Sequence, residues 1–580
     1  MKLTVKKMIL MLLACVAMAS CTNLDEKLYG SIGSDNYYHK ASDIKRMVYR
    51  PFEHAYWTIT ARMFTNELTA DQIICPKRDD GTWDNNGMWR RLHTHDIDPT
   101  IELYPSEWSS CFQGVGECNF SLEELDRLSP EDFGLTKAEF DNWKSQNRVL
   151  RAWFYLRLLD AYRNIPLITF YTGATIKDTE QVAPEVTFKF IEDELLDCLN
   201  YIEQKQALGT QASIEGRWTK AGAAALLVRL YLNAEVYLGV DRYDDCALYA
   251  QKILDGEYGP YTIGDGWDEI FDWNNDTSDE MIFGFPSSGG YTFWVYDHEV
   301  GGTYWNTVPY NSNKYFGDTK ANAGVHNQRY SVSPSYSTYG ELYNFELGMP
   351  VQKFRKYPQD ARMTKYRNLG NGKREGMFLY GYLEYEEDGA TKRITAGDQY
   401  DIYLRDAVGN FGSLDADSWL GGTSDMTTAD RNSGWAFVKY PFYGDDEKRY
   451  QLEADFVEIR LPEIIYSLAE CKLRRNDVDG AARLLNSVRR RNYPEEVYDE
   501  VLYAPEGSAV LDMNEMLDEW GREFFAESRR RIDLIRFDKF SSGIWWEKSA
   551  DPDKHCEIFP LTATMLSQNH YLKQNPGYSH

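Results

Sequence analysis

Two tryptophans and an asparagine in one turn-rich segment have side chains that suit contact with a ligand. Trp83 and Trp89 flank Asn86 in the run WDNNGMW. An indole offers a flat apolar face, and a side-chain amide offers both a hydrogen-bond donor and an acceptor. A tryptophan in such a loop either packs beneath the loop or faces a ligand. The segment therefore predicts ligand contacts at Trp83, Asn86 and Trp89, with packing as the alternative for the indoles.

A second aromatic run, YTFWVY, lies at residues 291–296. Successive side chains of a strand point to opposite faces, which places Trp294 and Tyr296 together and Tyr291 on the other side. Trp305 follows closely among glycines. One face is expected to pack on the body of the protein and the other to form a stacking platform. Trp294, Tyr296 and Trp305 are thus further candidate ligand contacts, with core packing as the alternative.

Glu523 and Glu527 have the spacing of a possible general acid and base. They are four residues apart in a predicted helix over residues 519–536, so both lie on one helix face. Many arginines surround them. A network of salt bridges buried between helices is therefore the favoured interpretation, and a pair of catalytic carboxylates is the alternative.

His93 and His95 raise the question of a metal site. Alternating histidines would face opposite sides of a strand, and the sequence identifies no third ligand. No phosphate-binding, serine-hydrolase, zinc-protease or dinucleotide motif occurs in its required context. The sequence therefore predicts no metal, no cofactor and no catalytic residues.

The elements that position these residues fall into three zones. Residues 43–254 and the chain from residue 456 onward have helical patterns, whereas residues 255–455 are rich in glycine, polar residues and tyrosine. Helices are predicted over residues 143–163, 217–238 and 243–254. The first has an apolar stripe and ends before Pro166, and the second is rich in alanine and glycine, which permits close helix packing.

A helix pair at residues 456–473 and 478–491 resembles a tetratricopeptide repeat. Large, apolar and small residues occupy the pattern's positions: Ile465, Leu468, Ala469, Ala481, Leu485 and Val488. The predicted fold is mainly α, a tetratricopeptide-like helical-repeat scaffold with a large irregular loop region that contains a few short strands. An irregular α-domain is the alternative.

Composition limits the possible ligands. The 580-residue chain has a formal charge of -27, which disfavours nucleic acid and anionic head groups as partners. Aromatic residues make up 14%, including 41 tyrosines and 16 tryptophans. An acidic, aromatic-rich surface fits neutral polar ligands such as sugars, whose C–H faces stack on rings.

The cysteines are scattered and do not form a disulfide framework or a zinc motif. Most of them are predicted to be small buried side chains, and a single disulfide remains an alternative. Cys21 differs because of what precedes it. Three lysines and a short apolar run lead to Met18-Ala19-Ser20, as in a secretory signal peptide that ends at a lipobox. Cleavage before Cys21 and acylation of its thiol are predicted, with a plain secreted protein as the alternative.

Four segments together resemble the SusD/RagB family of outer-membrane nutrient-binding lipoproteins. One contains RVLRAWFY at residues 148–155 and ends in YRNIPLI at 162–168, with Arg163-Asn164 where the family often has glycine. The others are GRWTKA at residues 216–221, DFVEIRLPE at 455–463, and REF at 522–524 with RIDLIRF at 531–537 and the tail QNPGY at 574–578. These stretches span most of the mature chain in the family's order.

The resemblance implies a tetratricopeptide-like, non-catalytic protein at the cell surface, lipid-anchored to the outer membrane. It also implies that the protein binds glycans and delivers them to a SusC-like TonB-dependent transporter. The expected division is a signal peptide at residues 1–20, an N-terminal helical region at 21–254, an aromatic-rich loop region at 255–455 and a C-terminal helical region at 456–580. A surface glycoside hydrolase and a peptide-binding helical-repeat scaffold are the alternative functions.

Overall fold

In the computed structural model, the described residues are 38–104, 106–171, 179–287, 307–317, 327–370, 372–441 and 454–579. The α-helices are α1 Ala41–Trp57, α2 Thr60–Arg62, α3 Met88–His93, α4 Glu107–Arg127, α5 Lys137–Tyr162, α6 Pro184–Cys198, α7 Lys220–Leu232, α8 Ala234–Leu238, α9 Tyr243–Leu254, α10 Pro350–Arg355, α11 Leu461–Arg474, α12 Val478–Arg489, α13 Tyr498–Val501, α14 Met513–Glu523, α15 Arg530–Arg536 and α16 Ala563–Gln568. A π-helical turn, Met63–Glu67, follows α2. The strands are β1 Ile73–Ile74, β2 Ile165–Pro166, β3 Gln181–Val182, β4 Met281–Phe285, β5 Ser331–Val332, β6 Arg367–Gly370, β7 Lys373–Glu375, β8 Phe378–Leu379, β9 Gly381–Tyr382, β10 Glu384–Glu387, β11 Ala390–Arg393, β12 Tyr403–Leu404, β13 Ala436–Phe437 and β14 Phe456–Arg460.

The long helices pack on one another nearly in chain order. Helix α1 packs on α4, α4 on α5, α5 on α6, α6 on α7, α7 on α9, α9 on α11 and α11 on α12. Contacts that pass from each helix to the next are typical of a helical-repeat scaffold, in which each unit buries its apolar face against its neighbour. The predicted mainly α, tetratricopeptide-like fold is confirmed.

Helix α5 is the longest and lies at the centre of this stack. It begins earlier than the predicted residues 143–163 because the Thr136 hydroxyl caps the Glu139 N–H while the Glu139 carboxylate accepts the Thr136 N–H. It ends at Tyr162, since Arg163 takes a left-handed φ of 59° and Pro166 belongs to β2. Every residue of the predicted apolar stripe is buried: Leu150, Trp153, Leu156, Leu159 and Tyr162.

The alanine-rich segment forms two helices rather than the single one predicted over residues 217–238. Helix α7 begins at the Thr219 cap and ends at Asn233, whose side-chain amide donates to the Arg229 carbonyl. The small residues allow close packing as expected. A Cβ atom added to Gly222 would lie 2.9 Å from the Trp218 indole, whose other neighbour is the stacked ring of Phe283 at 3.7 Å.

The C-terminal helix pair α11 and α12 forms where the repeat pattern predicts it, and its six pattern residues are all buried. The predicted helix over residues 519–536 is wrong. It is two helices, α14 and α15, because Ala526 and Ser528 adopt left-handed φ angles of 60° and 58°. Glu527 therefore lies in a turn and not on a helix face.

The loop region contains strands β4 to β13 and is joined to the rest of the protein at defined places. All strand pairs in the described residues are two-stranded and antiparallel. The pair β1–β5 aligns Ile73 with Val332, and the Lys77 N–H donates to the Met426 carbonyl at 2.7 Å. These contacts hold the chain that follows β1 against the loop region.

The described part tests the prediction about the cysteines. Its cysteines are free and buried, which confirms small buried side chains, and no disulfide joins them: Cys75, Cys111, Cys118, Cys198, Cys246, Cys471 and Cys556. Among the described helices, none has the length and apolar character needed to cross a membrane.

Candidate functional site

The loop of residues 79–87, between β1 and α3, has an unusual backbone. Trp83, Asn85 and Asn86 adopt positive φ angles of 64°, 43° and 54°. Asparagine tolerates this left-handed conformation, but a bulky residue such as tryptophan rarely adopts it. Such strain persists only where surrounding contacts over-determine the backbone, and strained residues cluster at ligand-binding sites.

Arg431 supplies several of the contacts that fix the loop. Its guanidinium pairs with Asp80 and donates to the Thr82 hydroxyl at 3.3 Å and to the Asn327 carbonyl at 3.0 Å. The Trp83 indole N–H donates to the same Asn327 carbonyl at 3.3 Å. The polar edge of the indole is therefore held inward, and the loop is rigid at the position of this ring.

Arg329 lies against both tryptophans of the segment. Its guanidinium carbon is 5.1 Å from the ring centroid of Trp83 and 4.7 Å from that of Trp89, within the range of cation–π attraction. Trp83 is half-buried, whereas Trp89 is only 3% exposed and packs 5.2 Å from the Phe64 ring. Trp83 thus has an accessible part, and Trp89 belongs to the core.

The residues predicted from the sequence to contact a ligand therefore lie in different environments in the structure. Trp83 and exposed Asn86 lie in the same rigid loop. The burial of Trp89 agrees with the packing alternative that its position in the sequence left open. Trp294, Tyr296 and Trp305, together with Cys21, lie outside the described residues. Ligand contact by any of them stays a prediction.

Two arginines and a tyrosine near the loop were not singled out from the sequence. The Arg431 guanidinium stands 4.3 Å from the Tyr310 ring centroid, and Arg329 reaches Trp83 from a segment almost 250 residues later in the chain. No local pattern marks such residues, because the fold brings them together over long sequence separations. The high aromatic content was the available signal.

Glu523 and Glu527 are held in a buried network of ion pairs. Glu523 accepts from Arg460 at 2.6 Å and from Arg491 at 2.8 Å, and Glu527 accepts from Arg460 at 2.9 Å and Lys439 at 2.7 Å. Burial alone would raise the pKa of both carboxyls, but the cations outweigh it and lower the pKa of each. The predicted salt-bridge network is confirmed.

The two histidines make structural hydrogen bonds. His93 Nε2 bonds the Trp546 carbonyl at 2.7 Å, and His95 bonds the Thr69 carbonyl at 2.9 Å and the Asp551 carboxylate at 2.7 Å. They lie at the end of α3 and just beyond it, not in a strand. Burial lowers the pKa of His93 to about 4, so this ring is neutral at physiological pH.

The structure is a helical-repeat scaffold that holds a loop region with many aromatic side chains. This architecture can be compared with known protein families. The model described as "SusD family" matches residues 292–578, and the model described as "Starch-binding associating with outer membrane" matches residues 50–232. The chain belongs to the SusD/RagB family.

Individual relatives agree with this assignment. The starch-binding protein SusD of Bacteroides thetaiotaomicron is 25% identical over 547 residues, covering 88% of this chain and 84% of that protein. A SusD superfamily protein from Bacteroides fragilis superimposes with a TM-score of 0.65 at 19% identity, covering 94% of this chain and all of the other. NanU from B. fragilis gives 0.65 at 16% identity, covering 95% and 99%.

Proposed function

We propose that this protein binds neutral glycans at the outer-membrane surface. The observation that carries the proposal is the half-buried Trp83 ring on a rigid, strained loop, with the Asn86 side chain exposed beside it. A fixed ring stacks on the C–H face of a sugar without losing much conformational entropy on binding, and an amide can pair with a sugar diol. The starch-binding relative supports the same ligand class.

The strongly negative charge supports a neutral ligand, because a formal charge of -27 repels anionic polymers. A binding role is favoured over catalysis. A glycoside hydrolase needs two carboxyl groups about 5–10 Å apart, with one of them kept protonated. Glu523 and Glu527 do not fit this role, because both form ion pairs with Arg460. Release of reducing ends from a polysaccharide by the purified protein would instead favour the hydrolase.

Trp83→Ala is expected to weaken glycan binding at least tenfold while leaving the thermal midpoint nearly unchanged. Removing this half-buried ring takes away the stacking surface but less of the core than loss of a fully buried ring would. Affinity electrophoresis in gels containing amylopectin, dextran or xyloglucan, followed by calorimetry with oligosaccharides of the glycan bound, measures the change. Trp83→Phe should keep most of the affinity because it keeps a ring.

Trp89→Ala is the matched control from the same segment. Truncating a buried tryptophan typically costs about 3–5 kcal/mol, so this variant should melt at a clearly lower temperature. If the folded Trp83→Ala protein binds every glycan as the wild type does, loop 79–87 is not the binding site.

Cys21→Ala is expected to give a folded protein that is no longer attached to the membrane. We infer that acyl chains on this thiol supply the anchor, since each buried methylene contributes about 0.8 kcal/mol and two or more chains make attachment stable. Fractionation of cells lacking the partner transporter tests this. Cys75→Ala is the control, and retention of the Cys21→Ala protein in outer membranes would contradict the anchor.

We further propose that the protein delivers its ligand to a SusC-like TonB-dependent transporter and contacts that barrel mainly through the helical scaffold. The resemblance to the SusD/RagB family and the predicted lipid tether at Cys21 support this proposal. Purification in mild detergent from cells that express both proteins at native level should recover the barrel. Repeated recovery of the lipoprotein alone would contradict the complex.

A further inference from the structure

Two strongly exposed aromatic rings lie in the loop region, in segments other than loop 79–87. Tyr339 is 62% exposed and Trp419 is 40% exposed. They belong to two loops that hydrogen bonds tie together. The Gly421 N–H donates to the Thr338 carbonyl at 2.9 Å, and the Thr338 hydroxyl donates to the Gly422 carbonyl at 2.7 Å.

Each of these rings rests on a glycine of the opposite loop. Gly340 and Gly421 adopt φ angles of 79° and 73°, which favour glycine. A Cβ atom at Gly340 would lie 2.5 Å from the Trp419 indole, and one at Gly421 would lie 3.2 Å from the Tyr339 ring. The absence of side chains at these two positions is therefore what allows the rings to lie against the backbone.

Trp419 is also supported by neighbouring side chains. The Tyr336 ring centroid is 6.2 Å from the indole centroid, and the guanidinium carbon of the buried Arg405 is 5.8 Å from it. Arg405 donates to the carbonyls of Leu414 and Ala416, at 3.2 and 2.9 Å, which fixes the loop that carries the indole. The Trp419 indole is thus held in place by the fold.

Each ring also has a polar group, the hydroxyl of Tyr339 and the indole N–H of Trp419. Within the part of the chain that the structure describes, neither the Tyr339 hydroxyl nor the Trp419 indole N–H has a hydrogen-bond partner. An apolar ring with a polar edge suits a sugar, which presents both C–H groups and hydroxyls. The surrounding run SLDADSWLGGTSD at residues 413–425 contains serine, threonine and aspartate, whose side chains can bond further hydroxyls.

We propose that Tyr339 and Trp419, termed the outer platform, form a second carbohydrate-binding site for neutral glycan chains. This inference rests on the proposed glycan-binding function and extends it to residues outside loop 79–87. A docking surface for another protein is the competing use, because Leu342 and Leu420 are also exposed beside the rings. The aromatic rings with polar edges favour carbohydrate.

The test compares full-length mature wild type with Trp419→Ala, Tyr339→Ala and the double variant. Retardation is measured in gels containing amylopectin, dextran or xyloglucan. For the polysaccharide that retards the wild type, the double variant is expected to lose at least tenfold in affinity with an unchanged melting midpoint. Trp419→Phe should retain most of the binding, because it keeps a ring on Gly340. Tyr571→Ala removes a similarly exposed ring elsewhere and should change nothing.

The possible failures can be told apart. If the wild type is retarded, Trp83→Ala abolishes retardation and the double variant binds as the wild type does, the outer platform is not a carbohydrate site. If the wild type binds none of the polysaccharides, the proposed function itself fails and the inference fails with it. If the double variant binds glycan normally but no longer co-purifies with the barrel, the platform is a protein-docking surface and the inference is overturned.

Discussion

Glu458→Gln is expected to destabilise the folded protein by about 3–5 kcal/mol, a large part of the stability of a typical domain. The Glu458 side chain is fully buried and accepts four hydrogen bonds. Two come from Arg62 at 2.6 and 3.1 Å, one from Arg229 at 2.8 Å, and one from the Trp153 indole N–H at 2.9 Å. Glutamine would leave the buried Arg62 guanidinium without its counter-charge and would remove one of the two carboxylates that pair with Arg229, the other being Glu463. It would also point an amide N–H₂ at donors.

The effect is expected to be large because Glu458 joins four elements of the scaffold. It lies in β14, and its partners belong to α2, α5 and α7. Chemical denaturation of both proteins would measure the loss as a lower midpoint with an unchanged slope. Lys137→Gln, which removes an exposed pair with Asp141, is the control and should leave the midpoint unchanged. A Glu458→Gln protein within 1 kcal/mol of the wild type would show that the network is not a source of stability.

The ion pairs of Glu458 are an example of a feature that the sequence alone does not predict. The helix pairs could be located from periodicity and small residues, because these patterns are local. Glu458 stands in a recognisable family segment, but its partner Arg62 is 396 residues away and no spacing connects them. The breaks at Asn233 and between α14 and α15 occur without a proline, since left-handed residues and side-chain bonds determine them.

For the candidate binding residues too, the sequence showed local patterns but not the contacts between distant residues. Trp83 and Trp89 could not be distinguished in the sequence, because both flank one turn-rich run. They differ in the structure because Trp89 belongs to α3 and faces Phe64, whereas Trp83 lies in the strained loop. Trp419 was not singled out at all, since its exposure depends on Gly340 in another loop. Composition predicts that exposed rings exist, and the tertiary fold decides which rings they are.

Stability is expected to fall sharply as the pH decreases below about 4.5. Burial would raise the pKa of Glu458 and Glu515, but Arg62 and Arg229 for the first, and Arg522 and Lys356 for the second, lower each pKa to about 2. Their ordinary value is 4.5, so each contributes stability that is present above this pH and is lost as the pH falls through 2. One pKa unit corresponds to about 1.4 kcal/mol, so each contribution is on the order of a few kcal/mol.

Two other carboxyl groups have the opposite effect on the pH dependence of stability. Burial raises the pKa of Glu67 to about 8, even though backbone N–H groups of Arg529 and Arg530 lower it, and burial raises that of Asp406 to about 7. These groups are neutral in the fold below those values but ionise in the unfolded chain from about pH 4. Their contribution is complete below the unfolded pKa and is lost as the pH rises towards 7 or 8. Maximum stability is therefore expected between about pH 4.5 and 6.

Denaturation midpoints measured from pH 3 to 9 would test both the loss of stability at low pH and the loss at high pH. Glu67→Gln cannot ionise, so the loss of stability between pH 5 and 8 should shrink by about 1 kcal/mol or more, while the acid limb stays as in the wild type. Glu53→Gln removes a carboxylate on the exposed face of α1 and should leave the whole profile unchanged. A Glu67→Gln profile parallel to that of the wild type would mean that Glu67 is already ionised in the fold, with its charge balanced by the nearby Arg530.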